Sequence, residues 1–277
     1  MRSVVELRLS GDAVPAELAV AFEAARDRMA PLGGRVVFFN TVGSTNDVAL
    51  ALASDPDAEG TIVVADEQTA GRGRHGRSWF SPPASGLYVS VVLQPKTARV
   101  DSAQATGLLT LAAGVALAEA IEAAAGLRAE IKWPNDLVVG SRKLAGILAE
   151  TARHDLITIV LGYGINVRPT RYPSELGDRP TSLESELGRA VDRSALCVET
   201  LAALSRRYRD LLSGKFDAIL DSWRGRAPTS RGARVTWSTP AGPLSGVTEG
   251  IDERGALLVR TGQGIERIVG GEVIWES

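Results

Sequence analysis

The sequence predicts an α+β fold: a mixed β-sheet with helices packed on one face, followed by a small C-terminal β-barrel of the SH3 type. Strand-like runs come in groups joined by hairpin-like turns, which argues against a regular βαβ array. Residues 102–125, "SAQATGLLTLAAGVALAEAIEAAA", form the most apolar long stretch, interrupted by Gln104, Glu119 and Glu122, which suits a core helix better than a membrane span. After "RAPTSRGA" the period shortens, and residues 229–277 become short strands separated by "TPAGP", "DERG" and "TGQG".

Composition sets the outer limits. A chain of 277 residues, 44% of them hydrophobic, can bury a full core. Its 31 Lys and Arg stand against 33 Asp and Glu, so no global basic field draws in nucleic acid, and any anion must be caught locally. One cysteine, Cys197, forms no internal disulfide and two histidines build no zinc cluster, which suits a reducing cytoplasm. Cys197 itself reads as a small helix residue. The start, "MRSVVELRLSGDAV", has no apolar run flanked by a cleavage site and does not read as a signal peptide.

The elements follow in order. Pro15 opens a helix, "AELAVAFEAARDRMA", that Pro31 and the Gly33-Gly34 pair stop. "RVVFFNTV" is a strand, and Ser44, Thr45 and Asn46 are each suited to cap the short helix in "GSTNDVALALA". "GTIVVADEQ" and "GLYVSVVLQP" are strands on either side of a glycine-rich loop. The long apolar helix takes Asp101 or Ser102 as its cap and ends before Gly126. "DLVVGSRKLAGILAE" reads as a hairpin with a type II′ turn at Gly140-Ser141, and "LITIVLGYGINV" as a further strand. "SALCVETLAALSRRYRDLLSG" and "KFDAILDSWRG" are helices. Three regions result: an N-terminal extension with one helix (1–35), a central α+β domain (36–228) and the C-terminal β domain (229–277).

The glycine-rich loop, "GRGRHG" at residues 71–76, has the spacing of a dinucleotide fingerprint without its context. Pro82, Pro83 and Gly86 forbid the helix that must follow, and the strand "VVLQPK" lacks the acid that would hold a ribose. The loop instead sets Arg72, Arg74 and Arg77 among glycines with no apolar residue between Ala70 and Trp79, so it should stay mobile until an anion arrives. Guanidinium forks and free backbone N–H groups are phosphate or carboxylate ligands; the bland alternative is a solvated basic loop.

The hairpin supplies a second cation. With its turn at Gly140-Ser141, Val138 pairs with Lys143 and Asp136 with Ala145, which puts Asp136, Val138, Lys143, Ala145 and Ile147 on one face. Lys143 then projects among apolar neighbours and needs a counter-anion, either Asp136 or a ligand. "KWPND" adds Lys132 and Asn135 around a stiffening Pro134. The plainer reading is a hairpin with an exposed salt bridge.

"GSTND" (43–47), "DEQTAGRGRHGRSWFSP" (66–82), "KWPNDLVVGSRKLAGILAE" (132–150) and "GYGINV" (162–167) together closely resemble the biotin protein ligase family. The resemblance runs in order over about residues 36–277, including "GIDERGALLV" and "GGEV" in the tail domain. It implies a catalytic domain like that of class II aminoacyl-tRNA synthetases and biotin ligases, and an AMP-forming biotin carboxyl-carrier protein ligase. Biotin and ATP form biotinyl-5′-AMP and pyrophosphate, with Mg2+ as companion ion. A lysine of a biotin carboxyl carrier domain of a biotin-dependent carboxylase then attacks the mixed anhydride.

Carried over by position, Ser44, Thr45, Asn46, Gln68 and Gly71 line the biotin ureido ring. Arg72 and Arg74 close over carboxylate and phosphates as the loop, with Gly73, orders. Lys143 neutralises charge between carboxylate and α-phosphate. Trp79 packs on adenine and Asn166 contacts it; Asp136 orients or deprotonates the acceptor lysine; Asn135 helps position phosphates or magnesium; Lys132 is counted among the cofactor-binding residues; and Gly146 lets the ligand approach its strand. No metal ligand set is implied.

Two departures stand out. Members that double as repressors carry a winged helix-turn-helix ahead of the ligase core, whereas here about 35 residues precede "VFFNT" and hold no basic recognition helix, so neither operator binding nor another nucleic-acid partner is expected. Some members reach ATP with an arginine near the C-terminus, where this chain has Trp275 and Glu276. No membrane partner is expected, and a homodimer stays open because family sheets can pair edge to edge. Lipoate protein ligase, of the same fold, and a biotin sensor that does not transfer its ligand remain alternatives.

Overall fold

A computed structural model describes residues 10–96, 102–152, 155–177, 179–240 and 242–276. Seven strands form the larger sheet: β1 (Val36–Val42), β2 (Ile62–Gln68), β3 (Gly86–Leu93), β4 (Glu130–Lys132), β5 (Asp136–Val139), β6 (Arg142–Ala152) and β7 (Asp155–Asn166), in the order β1-β2-β3-β7-β6-β5-β4. β1 runs parallel to β2 and every other pair is antiparallel. The sheet is mixed because the β1–β2 crossover passes through α3 (Thr45–Leu52), while hairpins and longer returns join the rest.

Alternation sends one set of side chains to each face. Leu87, Val89, Val91 and Leu93 of β3 join Phe38, Ile62 and Val64 in the main core, beneath α4 (Ser102–Ala125) and α6 (Arg193–Leu212). Val37, Phe39, Val63, Ala65 and Val92 point the other way and pack under Val48, Ala49 and Leu52 of α3. The long helices thus share one face, and a single short helix covers part of the other. The remainder of that second face carries the site.

α4 is apolar enough to cross a membrane by composition, but 72% of its most apolar window is buried here, and its alanines let it lie close to the sheet. Gly126 ends it with φ +72°; a cap at Asp101 lies outside the described residues. Asp192 caps α6 by accepting from the Ser194 and Ala195 N–H groups. The N-terminal helix is broken at Ala25 into α1 (Ala16–Ala24) and α2 (Arg26–Met29), whose Leu18, Phe22 and Met29 enter the main core. After α5 (Leu183–Leu187) and α6, α7 (Phe216–Arg224) buries Ile219, Leu220 and Trp223.

The C-terminal residues form one antiparallel sheet, β11-β10-β9-β8-β12, from β8 (Arg231–Thr239), β9 (Gly242–Ile251), β10 (Leu257–Thr261), β11 (Gly264–Ile268) and β12 (Val273–Trp275). Its two edge strands do not pair with each other among the described residues, so the SH3-like β domain expected is an antiparallel sheet that does not close into a full barrel. Val235, Trp237, Leu257 and Val259 continue the main core. The Trp133 indole N–H donates to the Gly255 carbonyl at 3.1 Å, fastening the domain to the turn before β5.

Candidate active site

The β5–β6 hairpin differs from its expected register in a way that builds the site. Val138 pairs with Lys143 as alternation predicts, but Leu137 pairs with Ala145 and Asp136 with Gly146. Leu144 is the extra residue of a bulge, and it and Ala145 are both buried in the core. One inserted residue exchanges the faces. Lys143 therefore shares its face with Gly146, not with Ala145 and Ile147, which point into the main core. Its ammonium lies 2.6 Å from Asp136, the counter-anion expected, with side chains 37% and 27% exposed.

Glycines make the floor. Gly146 of β6 pairs with Gly164 of β7, and a Cβ on Gly164 would stand 2.3 Å from the Trp79 Nε1, one on Gly146 3.0 Å from its Cζ3. The indole lies flat on this bare backbone, half-buried, with the Lys143 ammonium 5.3 Å from its ring centre. Trp79 is therefore a wall of the site and not an ordinary core aromatic, and its N–H finds no partner among the described residues.

Four more residues surround it. The Arg74 guanidinium donates to Asn135 Oδ1 at 3.3 Å, and Asn135 in turn donates to the Ile147 carbonyl at 2.7 Å. Burial lowers Arg74 from its ordinary value, opposed by the Asp136 carboxylate. Burial also lowers Lys132, which Asp136 raises and Lys143 lowers; its ammonium lies 5.6 Å from the Trp275 ring of β12. Lys132, Lys143 and Arg74 gather round one carboxylate, leaving an excess of positive charge on a partly desolvated surface. Asn166, at the end of β7, donates to the Thr181 carbonyl at 2.8 Å and reaches the Lys143 carbonyl at 3.4 Å.

The other end of the site holds neutral polar groups. Ser44, Thr45 and Asn46, at the start of α3, are all buried. Ser44 stands at the N-cap without a side-chain cap bond. The Thr45 N–H and hydroxyl both donate to Gln68 Oε1, at 2.9 and 3.1 Å, and Gln68 Nε2 donates to Ser81. The Ser90 hydroxyl donates to Asn46 Oδ1 at 2.5 Å. A Cβ on Gly162 would fall 2.0 Å from that same oxygen, so the glycine admits the Asn46 side chain. Gly71 has no room for a side chain against the Trp79 carbonyl at 2.5 Å.

Between the ends stands the arginine loop, in the structure a small hairpin closed by Trp79 N–H to Gly71 O at 2.8 Å and Gly73 N–H to Arg77 O at 2.7 Å. Its arginines separate: Arg74 enters the cationic cluster, Arg77 pairs with Glu272, and Arg72 lies 2.8 Å from both Asp47 and Glu150. A cavity of about 590 Å3 opens beside it, lined by Arg74, Asn135, Leu148 and Thr110 and, from the C-terminal domain, Arg254 and Arg267.

Sequence reasoning missed Asp47, Ser81, Ser90, Glu150 and Glu272. Ser90 carried a signal, a lone polar residue in the apolar run "LYVSVVL". The others are ordinary surface types whose role depends on tertiary approach.

A positively charged corner, a glycine floor under an indole and a polar recess on one sheet face are what an enzyme needs to bring an organic acid up to a nucleotide phosphate. The comparisons agree. Residues 38–166 match the biotin/lipoate A/B protein ligase family, and residues 232–275 match the biotin protein ligase C terminal domain. The bifunctional ligase/repressor BirA of Bacillus subtilis is 37% identical over 246 residues, covering 87% of this chain and 74% of that protein. The biotin--[acetyl-CoA-carboxylase] ligase of Mycobacterium tuberculosis is 35% identical, covering 84% and 85%. The solved biotin protein ligase from Aquifex aeolicus in complex with biotin and ATP superposes with a TM-score of 0.76 at 30% identity, covering 88% of this chain and 99% of that one. The chain belongs to the biotin protein ligase family.

Proposed function

We infer that this chain activates biotin with ATP and transfers it to a lysine of a carboxylase carrier domain, the site residues taking the roles that follow. The observation that carries the role assignment is the gathering of Lys143, Arg74 and Lys132 about Asp136, with the Lys143 ammonium also over the Trp79 ring and beside Gly146.

In the first step a carboxylate oxygen of biotin attacks the α-phosphorus; the bond to the β-phosphate oxygen breaks, and pyrophosphate leaves with that electron pair. Two unit charges of like sign 4 Å apart in a partly screened site repel by about 4 kcal/mol. Lys143 and Arg74 offset this where negative charge builds up on the phosphoryl oxygens. Thr45, Asn46, Gln68 and the neighbouring Ser44 supply donors and acceptors for the ureido ring. Trp79 borders the adenylate, with Asn166 at the adenine end. In the second step the acceptor amine attacks the anhydride carbonyl, AMP departs with the bridging oxygen, and the amine proton passes to a base, for which Asp136 is placed once Lys143 turns to the ligand.

Magnesium would arrive on the triphosphate. No group of three His, Cys, Asp or Glu gathers among the described residues, but Asn135 Oδ1 and the Asp136 carboxylate are oxygen donors of the kind that complete a phosphate-bound Mg2+. No repressor role belongs to this reading. Residues 16–29 spend their apolar face on the catalytic core and present no recognition helix, so a salt-sensitive shift of a specific DNA fragment would contradict it. The test of function is biotin-dependent pyrophosphate release, followed by the mass gain of one biotinyl group on a carrier-domain lysine. Release with lipoate in place of biotin, or no mass gain, would overturn the reading.

A further inference from the structure

The Arg72 guanidinium is held away from the cationic cluster. Its Nη2 donates to Glu150 Oε2 and lies equally close to Asp47 Oδ1, 2.8 Å in each case. Glu150 Oε2 also accepts from Asn46 Nδ2 at 2.7 Å, and Asn46 Oδ1 accepts from Ser90. One chain of polar contacts therefore runs from buried Ser90 through the recess to the first arm of the arginine loop. Asp47 and Glu150 together carry more negative charge than Arg72 neutralises, so this corner does not attract a second anion. Arg74, two residues on, sits where positive charge is in excess.

We propose that Asp47 and Glu150 are positioning residues that clamp the first arm of the loop through Arg72, and that Arg72 serves turnover by holding the loop, not by touching carboxylate or phosphate. The inference rests on the biotin-activating reading above. Because Glu150 binds the loop arginine and the recess amide with the same oxygen, seating of the neutral ring against Asn46 and closure of the loop become one event. Gly71, pressed against Gln68, Ser81 and the Trp79 carbonyl, keeps that arm from sliding.

The clamp predicts effects on binding rather than on chemistry. Partly exposed pairs of this kind are worth little singly, so Glu150→Gln should raise KM for biotin about fivefold, with kcat for pyrophosphate release nearly unchanged. Asp47→Asn, at a side chain 39% exposed, should act in the same direction. Arg72→Ala should cost no more than the two carboxylate changes combined, the effects should be non-additive, and Arg72→Lys should restore part of the affinity. Bound biotinyl-AMP should leave faster from each variant. An Arg72 that binds the reacting anions gives the opposite pattern, which would overturn the proposal: Arg72→Ala lowers kcat far more than either carboxylate change, and Glu150→Gln or Asp47→Asn, by freeing the guanidinium, tightens biotin binding. Unfolding curves identify any loss that is only a loss of fold, and Asp47→Asn then decides. If the unaltered protein releases no pyrophosphate with biotin, the functional reading fails first.

Discussion

Removing the Lys143 charge is the sharpest perturbation the site offers. The ammonium is 37% exposed, so its interaction with a phosphoryl oxygen falls between the bulk-water and partly screened limits. At 4 Å those limits are about 1 and about 4 kcal/mol, and an intermediate 2 to 3 kcal/mol corresponds to about 30- to 150-fold in rate. Lys143→Ala should slow adenylation by that factor, read as single-turnover pyrophosphate release with no acceptor present. KM for biotin should stay within about twofold, because the charge acts where negative charge develops and not on the neutral ring. The substitution also leaves Asp136, 2.6 Å away in the folded protein, without its partner and facing two anionic reactants. Adding Asp136→Asn should therefore recover about fivefold, the equivalent of roughly 1 kcal/mol of repulsion. A rate within about threefold of the unaltered protein, or a rise in KM for biotin matching the whole loss, would refute this account of the lysine.

Other expectations follow from the same geometry. Gly164→Ala sets a methyl 2.3 Å from the Trp79 Nε1, so the indole must leave the floor and adenylation should fall about tenfold without loss of fold; unchanged turnover would remove Trp79 as a wall of the site. Trp133→Phe deletes the bond to the Gly255 carbonyl that ties the domains and should lower stability by about 1 kcal/mol in chemical denaturation, with no change meaning that this bond contributes no docking energy. Cys197 is fully buried and burial pushes its thiol up to about 12, so it should resist alkylation at mildly alkaline pH until the chain unfolds. Its folded value lies above the 9.0 of a solvated thiol, so the unfolded chain loses the proton first: this contribution is intact below pH 9.0 and is lost as pH rises towards about 12. Burial raises Tyr163, Tyr172 and Tyr208 in the same direction, so stability measured by urea titration should decline through the alkaline range, by about 1.4 kcal/mol per pH unit for each proton involved; a flat profile would contradict their burial.

Local chemistry made much of this molecule legible. Gly126, Pro31 and the Gly140-Ser141 turn punctuate the chain where their backbone preferences require it, and the apolar stretch 102–125 becomes a helix buried, with α6, against the sheet. The candidate site was picked out by its motifs: arginines set among glycines, and a lysine placed by a hairpin among apolar neighbours. The Leu144 bulge was not legible. A run such as "RKLAGI" alternates equally well in either register, and core packing of Leu144 and Ala145 together decides which face Lys143 takes. Nor could composition tell Arg72 from Arg74. They share a loop and a side-chain type, and only the approach of Asp47 and Glu150 from α3 and β6 separates their surroundings. The C-terminal β domain was legible from its strand spacing, which reports hairpins and says nothing about whether the two edges meet.

The central claim is that Lys143 and Arg74 are the cations that allow an acid and a nucleotide to meet. A crystal structure with a non-hydrolysable biotinyl-AMP analogue tests it most directly. The account predicts the Lys143 ammonium and the Arg74 guanidinium at hydrogen-bond distance, about 3 Å, from the oxygens around the acyl-phosphate, with the analogue's ring against Thr45, Asn46 and Gln68. Both cations pointing to solvent while the analogue lies elsewhere on the sheet would contradict it.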